Sequence, residues 1–194
     1  MEVILVISRL LLALTVILLV GPMPADSQTM STSWQDMVFM GISRQTADWD
    51  CGPAALKTIL SLLDWPDPQA EKVDPPIHMA HLQDMFAHVG LPAQGFRLLP
   101  EQLWWYYEQS APVPMVVHLQ WPEPHFSVLA ASWQQWLLLA DPGIGWNWVS
   151  RTEFMSIWTG YVLLPDPPKP WQQPAIIDNL VTRLQTLSAA QNYY

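Results

Sequence analysis

From Asp50 onward, apolar residues recur at helical spacing. Ala55, Leu56, Ile59, Leu62 and Leu63 form one stripe, Pro53 suits a first turn, and Trp65-Pro66-Asp67-Pro68 closes the run, which predicts a helix from Cys51 to Leu63. A second helix is predicted over Ile77 to Val89, stopped by Gly90, and a third over Pro100 to Gln109, where Leu103, Trp104 and Tyr107 share a face. After Pro112 the pattern changes. Met115 to Leu119, Phe126 to Ala130, Trp136 to Ala140 and Trp146 to Val149 are short apolar runs rich in Val, Leu and Trp, and they read as strands, with a hairpin around Ser132 to Gln134. A short helix over Thr152 to Trp158 and a last strand over Tyr161 to Leu164 follow. Helices first and antiparallel strands afterwards imply an α+β fold, with N-terminal helices packed on an antiparallel sheet.

Both ends depart from this grammar. Leu10 to Val20 is apolar apart from Thr15, follows Arg9, and is broken by Gly21, Pro22 and Pro24, with small residues Ala25 and Ser27 behind it. This is the layout of a secretory signal peptide over residues 1–27, or of a membrane anchor if it stays uncleaved. No Cys follows the run, which excludes a lipoprotein route. Residues 28–40 read as a lead-in to a domain ending near residue 165. Pro165-Asp166-Pro167-Pro168-Lys169-Pro170 reads as a stiff linker, and Ala175 to Ala190 as an amphipathic helix, docked on the domain or used for a partner. The expected organisation is therefore signal 1–27, a folded domain 28–165, and linker with helix 166–194. The exported location, periplasmic or beyond, follows from the signal.

Composition narrows the function classes. At 51% hydrophobic and 13% charged, the chain supplies a core readily. The net charge is −9, and the eight Lys and Arg are scattered singly, so no basic patch is available for a nucleic-acid backbone. A single cysteine rules out an internal disulfide and leaves a small buried hydrophobe or a reactive thiol.

That cysteine, Cys51, lies at a predicted helix start, where free N–H groups and the helix dipole favour a thiolate. Gly52 beside it would let another backbone approach the sulfur. A thiolate nucleophile needs a base, an orienting group for the base, and donors for an oxyanion. His125 begins one predicted strand, and Asp141 ends the next, sixteen residues later. In an antiparallel pair those positions are neighbours at one end of the sheet. Gln45, six residues before Cys51, would bring its side-chain amide alongside the Cys51 N–H. Each residue has a plain reading too: a packing Cys, a polar strand end, a turn-former before Pro-Gly, a loop Gln.

In combination, Gln45-Thr46-Ala47-Asp48-Trp49-Asp50-Cys51-Gly52-Pro53-Ala54-Ala55-Leu56 resembles the bacteriocin-processing cysteine peptidases that trim double-glycine leaders. Pro114-Met115-Val116-Val117-His118-Leu119, His125-Phe126-Ser127-Val128-Leu129, Asp141-Pro142-Gly143 and Arg151-Thr152-Glu153-Phe154 through Trp158-Thr159-Gly160 resemble that family's later motifs, in order. The resemblance implies a papain-like fold in which Cys51 attacks, His125 is base and then acid, Asp141 orients His125, and Gln45 helps hold the oxyanion. It implies a polypeptide substrate with a small-residue or double-glycine leader. Neither cofactor nor metal is called for. Many family members are joined to a membrane transporter with an ATPase. Here no phosphate loop is found, and the layout is closer to stand-alone relatives associated with functional-amyloid or surface-protein export, which adds a membrane or secretion system as an expected associate. Two other classes share the pattern: a non-cleaving module that binds export signals, and a thiol-dependent amidase or acyltransferase.

Other candidates have simpler explanations. His78, His81 and His88 fall on the second predicted helix without a ligand set of metal-binding spacing and read as solvated. Asp50 reads as a helix N-cap. Trp104, Trp105, Tyr106 and Tyr107 read as core, or as the lining of a groove.

Overall fold

The computed structural model describes residues 33–66, 77–109, 112–120 and 123–191, with side chains described to residue 188. The signal expected over 1–27 lies outside them. The described elements are α1 (Trp34–Val38), α2 (Cys51–Leu62), α3 (Met79–His88), β1 (Ala93–Arg97), α4 (Pro100–Tyr107), β2 (Met115–Gln120), β3 (Pro124–Trp133), β4 (Trp136–Asp141), β5 (Gly145–Ser150), α5 (Arg151–Ile157), β6 (Trp158–Pro165) and α6 (Ala175–Gln191).

The six strands form one antiparallel sheet in the order β1-β6-β2-β3-β4-β5. Both faces are covered. On one side α2, α3 and α6 bury Leu56, Ile59, Phe86 and Ile177 against Val116, Phe126, Val128, Leu138 and Leu163. On the other, α4 and α5 bury Leu103, Tyr107 and Phe154 against Val117, Leu129, Leu137, Leu139 and Val162. A strand covered on both faces has no polar side to display, which is why β2, β3 and β4 read as continuous apolar runs in place of an alternating pattern.

The helix ends follow local chemistry. α2 stops in a Schellman arrangement: Trp65 N–H donates to the Leu60 carbonyl, Asp64 N–H to that of Ser61, and Asp64 takes φ +49°. α3 stops the same way, with Gly90 at φ +74° supplying the left-handed residue. α3 is shorter than its expected span because Ile77 and His78 precede its first turn. The hairpin between β3 and β4 turns at Gln134 and Gln135, one step later than expected, between the paired Trp133 and Trp136.

Two elements, α1 and β1, were not anticipated. The lead-in contains α1, closed by a capping box in which Ser33 Oγ accepts from Asp36 N–H and the Asp36 carboxylate accepts from Ser33 N–H. β1 joins the sheet edge beside β6, with most of its side chains exposed. The proline-rich stretch leads to Trp171, a buried side chain whose Nε1–H donates to the Leu62 carbonyl at 3.3 Å. From there α6 runs back over the core, with Ile177 fully buried and Ile176, Leu180 and Val181 packed beside it.

The segment from α1 to α2 wraps the end of the sheet where β4 turns into β5. Trp146 Nε1–H donates to Met40 O at 2.8 Å, Ser43 N–H to Thr58 Oγ1 at 3.0 Å, and Gln45 N–H to Pro142 O at 2.9 Å. Gly145 permits this wrap. Its φ is +87°, and a Cβ there would meet the Val38 side chain and stand 2.5 Å from the Val38 carbonyl oxygen. Gly145→Ala should therefore lower stability by about 2–5 kcal/mol, combining left-handed strain with overpacking. Gly41→Ala, at φ +76° with nothing within 4 Å, should cost only the strain. Urea midpoints of the two variants check the contrast.

Candidate active site

β3 and β4 run antiparallel, so the start of one and the end of the other share an end of the sheet. His125 and Asp141 occupy those positions, and His125 Nε2 lies 2.9 Å from Asp141 Oδ2. The other carboxylate oxygen accepts from Gly143 N–H at 2.8 Å and Ile144 N–H at 3.2 Å. The turn that follows β4 thus fixes Asp141, and Asp141 fixes the ring. With Nε2 engaged, Nδ1 is the nitrogen left free, and Cys51 is close enough to act on the charge of the imidazole. Three of the four residues expected at the site, Cys51, His125 and Asp141, are brought together, His125 paired with Asp141 and its charge influenced by Cys51.

Cys51 is the first residue of α2 and is 5% exposed. The expected N-cap role of Asp50 is not what the structure shows. Asp50 makes no side-chain cap bond to α2, because its ψ of 14° is not the extended conformation of a capping residue. Its carboxylate turns back instead, accepting from Thr46 N–H, Thr46 Oγ1–H at 2.7 Å and Ala47 N–H at 3.2 Å, and so closes the loop between Gln45 and Cys51. Although burial opposes its charge, these donors hold Asp50 below its ordinary value. The first-turn N–H groups of α2 are left uncapped by any side chain. Gly52 also differs from expectation. What approaches it is not backbone but the Ile77 Cγ2 methyl, 3.1 Å from a hypothetical Cβ, and the Phe126 ring at 3.4 Å.

Gln45 reaches the site by its backbone bond to Pro142. Its side chain packs on Gly143, where a Cβ would lie 3.5 Å from Gln45 Oε1 and 3.3 Å from Asp141 Oδ1. Gln45 Oε1 is buried without a hydrogen-bond partner. Gly143 thus leaves room for the amide beside the carboxylate.

The electrostatics are those of an ion pair. Burial disfavours a charged His125, but the hydrogen bonds and charges of Asp141 and Cys51 outweigh it and push the imidazole up to about 10. Burial would raise Asp141, yet His125, the Gly143 N–H and Ser127 lower it. The Ser127 hydroxyl, fully buried and without a well-aligned partner, still bears on that carboxylate.

A cleft of about 490 Å³ opens at Cys51, bounded by Asp48, Trp49, Ile77, His78, His118 and Phe126 among others. Its lining is largely apolar, and Trp49 is exposed at its edge. The three histidines near α3 divide: His78 precedes the helix and reaches the cleft edge, whereas His81 and His88 are exposed on the helix itself. Among the described residues no three ligating side chains gather to hold a metal ion. The aromatic cluster of α4 also divides: Tyr107 is core, Trp104 lies under the Arg151 guanidinium at 4.6 Å, and Trp105 and Tyr106 line a separate apolar groove with Phe96.

The ion pair sets a pH signature. The Asp141 contribution is present above its ordinary 3.8 and lost as pH falls through its lowered value. The His125 contribution is complete below 6.5 and lost as pH rises through about 10. Asp141→Asn should therefore destabilise the protein most at about pH 5.5, with the gap in urea midpoint narrowing towards pH 10.

Known proteins resemble this chain in sequence and fold. The Peptidase C39 family pattern matches residues 40–170. Two curated relatives carry the name "Probable functional amyloid protease FapD". The Pseudomonas fluorescens protein is 27% identical over 158 residues, covering 68% of each chain, and the Pseudomonas aeruginosa protein is 26% identical over 140 residues, covering 64% of this chain and 59% of that one. Among solved structures, the peptidase domain of Streptococcus mutans ComA superposes with a TM-score of 0.54 at 21% identity, over 66% of this chain and 99% of that domain. A double glycine motif protease from an AMS/PCAT transporter, solved with its leader peptide, gives 0.50 at 22% identity, over 65% and 90%. The sheet and helices are therefore the papain-like fold of these peptidase domains. With the family pattern covering the cleft and both flanks of the sheet, the chain belongs to the Peptidase C39 family and is a cysteine peptidase.

Proposed function

We propose that Cys51, His125, Asp141 and Gln45 cleave a polypeptide precursor destined for export, after a small-residue or double-glycine leader. The observation that carries the assignment of roles is the His125–Asp141 pair at 2.9 Å, set beside Cys51 at the first turn of α2. Cys51 Sγ attacks the scissile carbonyl carbon, and the oxyanion is held by the Cys51 N–H and the Gln45 side-chain amide. His125 then gives its proton to the departing amine, leaving a thioester on Cys51. Water attacks that thioester while His125 takes its proton, and the leader's new carboxyl terminus departs with the thiolate restored. Asp141 holds the ring so that Nδ1 faces the sulfur throughout.

The substrate class is supported by the relatives: two named as probable functional amyloid proteases, and a double glycine motif protease bound to a leader peptide. The apolar N-terminal run supports an exported enzyme, either freed after residues 25–27 or anchored by residues 3–20, working beside a secretion or surface-fibre system. N-terminal sequencing of the protein recovered from the cell envelope distinguishes the two. A chain starting near residue 28 marks cleavage, and one retaining residues 1–27 marks an anchor. Recovery from the cytoplasm alone contradicts export.

Cys51→Ala should abolish cleavage of a quenched fluorescent peptide carrying Gly-Gly before the scissile bond, with the circular dichroism spectrum unchanged. Gln45→Ala should lower kcat by about 10²–10³ with little change in KM, because an oxyanion donor acts in the transition state. Wild-type turnover should hold through neutral pH and fall as His125 loses its proton near pH 10. An alkaline limb near pH 6.5 would remove the ion pair from the mechanism.

A further inference from the structure

The wall of the cleft beyond Phe126 is built around an irregularity in the sheet. On β2, Val117 pairs with Val162 of β6, and two residues later Leu119 pairs with Trp158, four residues back along β6. Thr159, Gly160 and Tyr161 therefore stand opposite His118 alone. Gly160, at φ +87°, provides the backbone reversal this requires. Bulges of this kind re-aim side chains, and here the side chain concerned is an imidazole. His118 pairs across the strands with Phe126, their rings edge to face at 5.2 Å, and Phe126 in turn covers Gly52 next to the nucleophile. His118 thus stands one ring away from the first turn of α2 and lines the cleft together with Cys51.

Its hydrogen bonds fix which nitrogen carries the proton. Thr159 Oγ1–H donates to the His118 carbonyl oxygen at 3.0 Å, so the only hydroxyl hydrogen is used. The contact of 2.9 Å between Thr159 Oγ1 and His118 Nδ1 must then be an N–H donated by the ring. Burial, followed by the charge of His125, keeps His118 below its ordinary value of 6.5, which leaves it neutral at neutral pH. A neutral ring with its proton on Nδ1 has a lone pair on Nε2, and none of the hydrogen bonds among the described residues uses it. The other polar groups lining the cleft are the Cys51 thiol, Asp48, the Trp49 indole N–H, His78 and the Tyr161 hydroxyl; Trp49 and Tyr161 are exposed, and Tyr161 carries Arg97 over its ring.

We propose that His118 is a substrate-binding residue, its Nε2 accepting a hydrogen bond from a main-chain N–H of the peptide seated in the cleft. An extended peptide offers such a donor at every residue other than proline, and the mostly apolar lining offers few other acceptors for it. The bulge serves this purpose: Thr159 holds the ring and sets its tautomer, and Gly160 makes space for the loop that carries Thr159. This inference rests on the peptide-cleaving role proposed above.

The test uses a peptide aldehyde ending in Gly-Gly-aldehyde, which adds reversibly to the Cys51 thiol, and iodoacetamide, a small reagent that alkylates the same sulfur without a peptide main chain to bind. His118→Phe should weaken aldehyde binding by about tenfold, the weight of one neutral hydrogen bond, while the alkylation rate stays within twofold of wild type. His118→Gln, which keeps an acceptor, should recover most of the loss. In wild type, ¹⁵N spectra should show a bare His118 Nε2 whose resonance moves when the aldehyde binds, with the Nδ1 proton retained. Equal aldehyde affinity in His118→Phe, or an Nε2 signal that does not move, would overturn the proposal. A parallel loss of alkylation and affinity would make His118 a purely structural residue and overturn it as well. If wild type is alkylated yet does not take up the aldehyde, the peptide-cleaving reading itself fails, and the His118 role falls with it.

Discussion

The site depends on one carboxylate held by one turn. Asp141 ends β4, and the next two N–H groups with a free hydrogen, those of Gly143 and Ile144, fold back onto its Oδ1. That leaves Oδ2 directed at His125 across the strand pair. A buried carboxylate with three donors stays charged, and a charged Asp141 is what keeps His125 protonated in a partly buried position. The same turn offers its Pro142 carbonyl to Gln45 N–H and its Gly143 surface to the Gln45 side chain. His125, Asp141 and Gln45 are thus all referred to four consecutive residues, Asp141 to Ile144.

The rest of the fold brings Cys51 to that turn. α2 lies across β2, β3 and β4, buried along nearly its whole length, so its first residue arrives at the sheet end with little freedom. The loop before it is closed by Asp50 on Thr46 and Ala47, and it is tied to the sheet through Met40, Gln45 and the close approach of Val38 to Gly145. The left-handed backbone next to the cleft and under α1 falls on glycines, Gly160 opposite His118 and Gly145 beside Val38. Packing on both faces of the sheet supplies the rigidity that lets a 2.9 Å contact between two strands persist as a pre-formed pair.

Most of this was readable in the chain because burial writes itself into the pattern. β2, β3 and β4 are apolar throughout since both faces are covered, and the order Cys51, His125, Asp141 sits at one helix start and two strand ends, positions that an antiparallel pair must bring together. What escaped depends on partners far away in sequence. β1, Ala93-Gln94-Gly95-Phe96-Arg97, is an edge strand with one buried residue, and only its pairing with Tyr161–Pro165 defines it. Asp50 before a helix has the look of a cap, but three donors within the preceding loop compete for its carboxylate and win. Gly52 makes way for Ile77 and Phe126, neither of which is near it in the chain. The part played by His118 depends on two extra residues in β6, forty positions downstream, and no local spacing signals them. Its position within Pro114–Leu119 was visible; its tautomer was not.

The account stands on Cys51 becoming covalently acylated by the peptide it cleaves. Intact-mass spectrometry of wild-type protein, mixed with a Gly-Gly leader peptide and quenched in acid within the first turnovers, reads this directly. The predicted result is a transient species heavier by the mass of the leader fragment less one water, mapping to the peptide that contains Cys51 and decaying as free leader accumulates. Steady release of leader with no such adduct on Cys51, or release at an undiminished rate from Cys51→Ala, would contradict it.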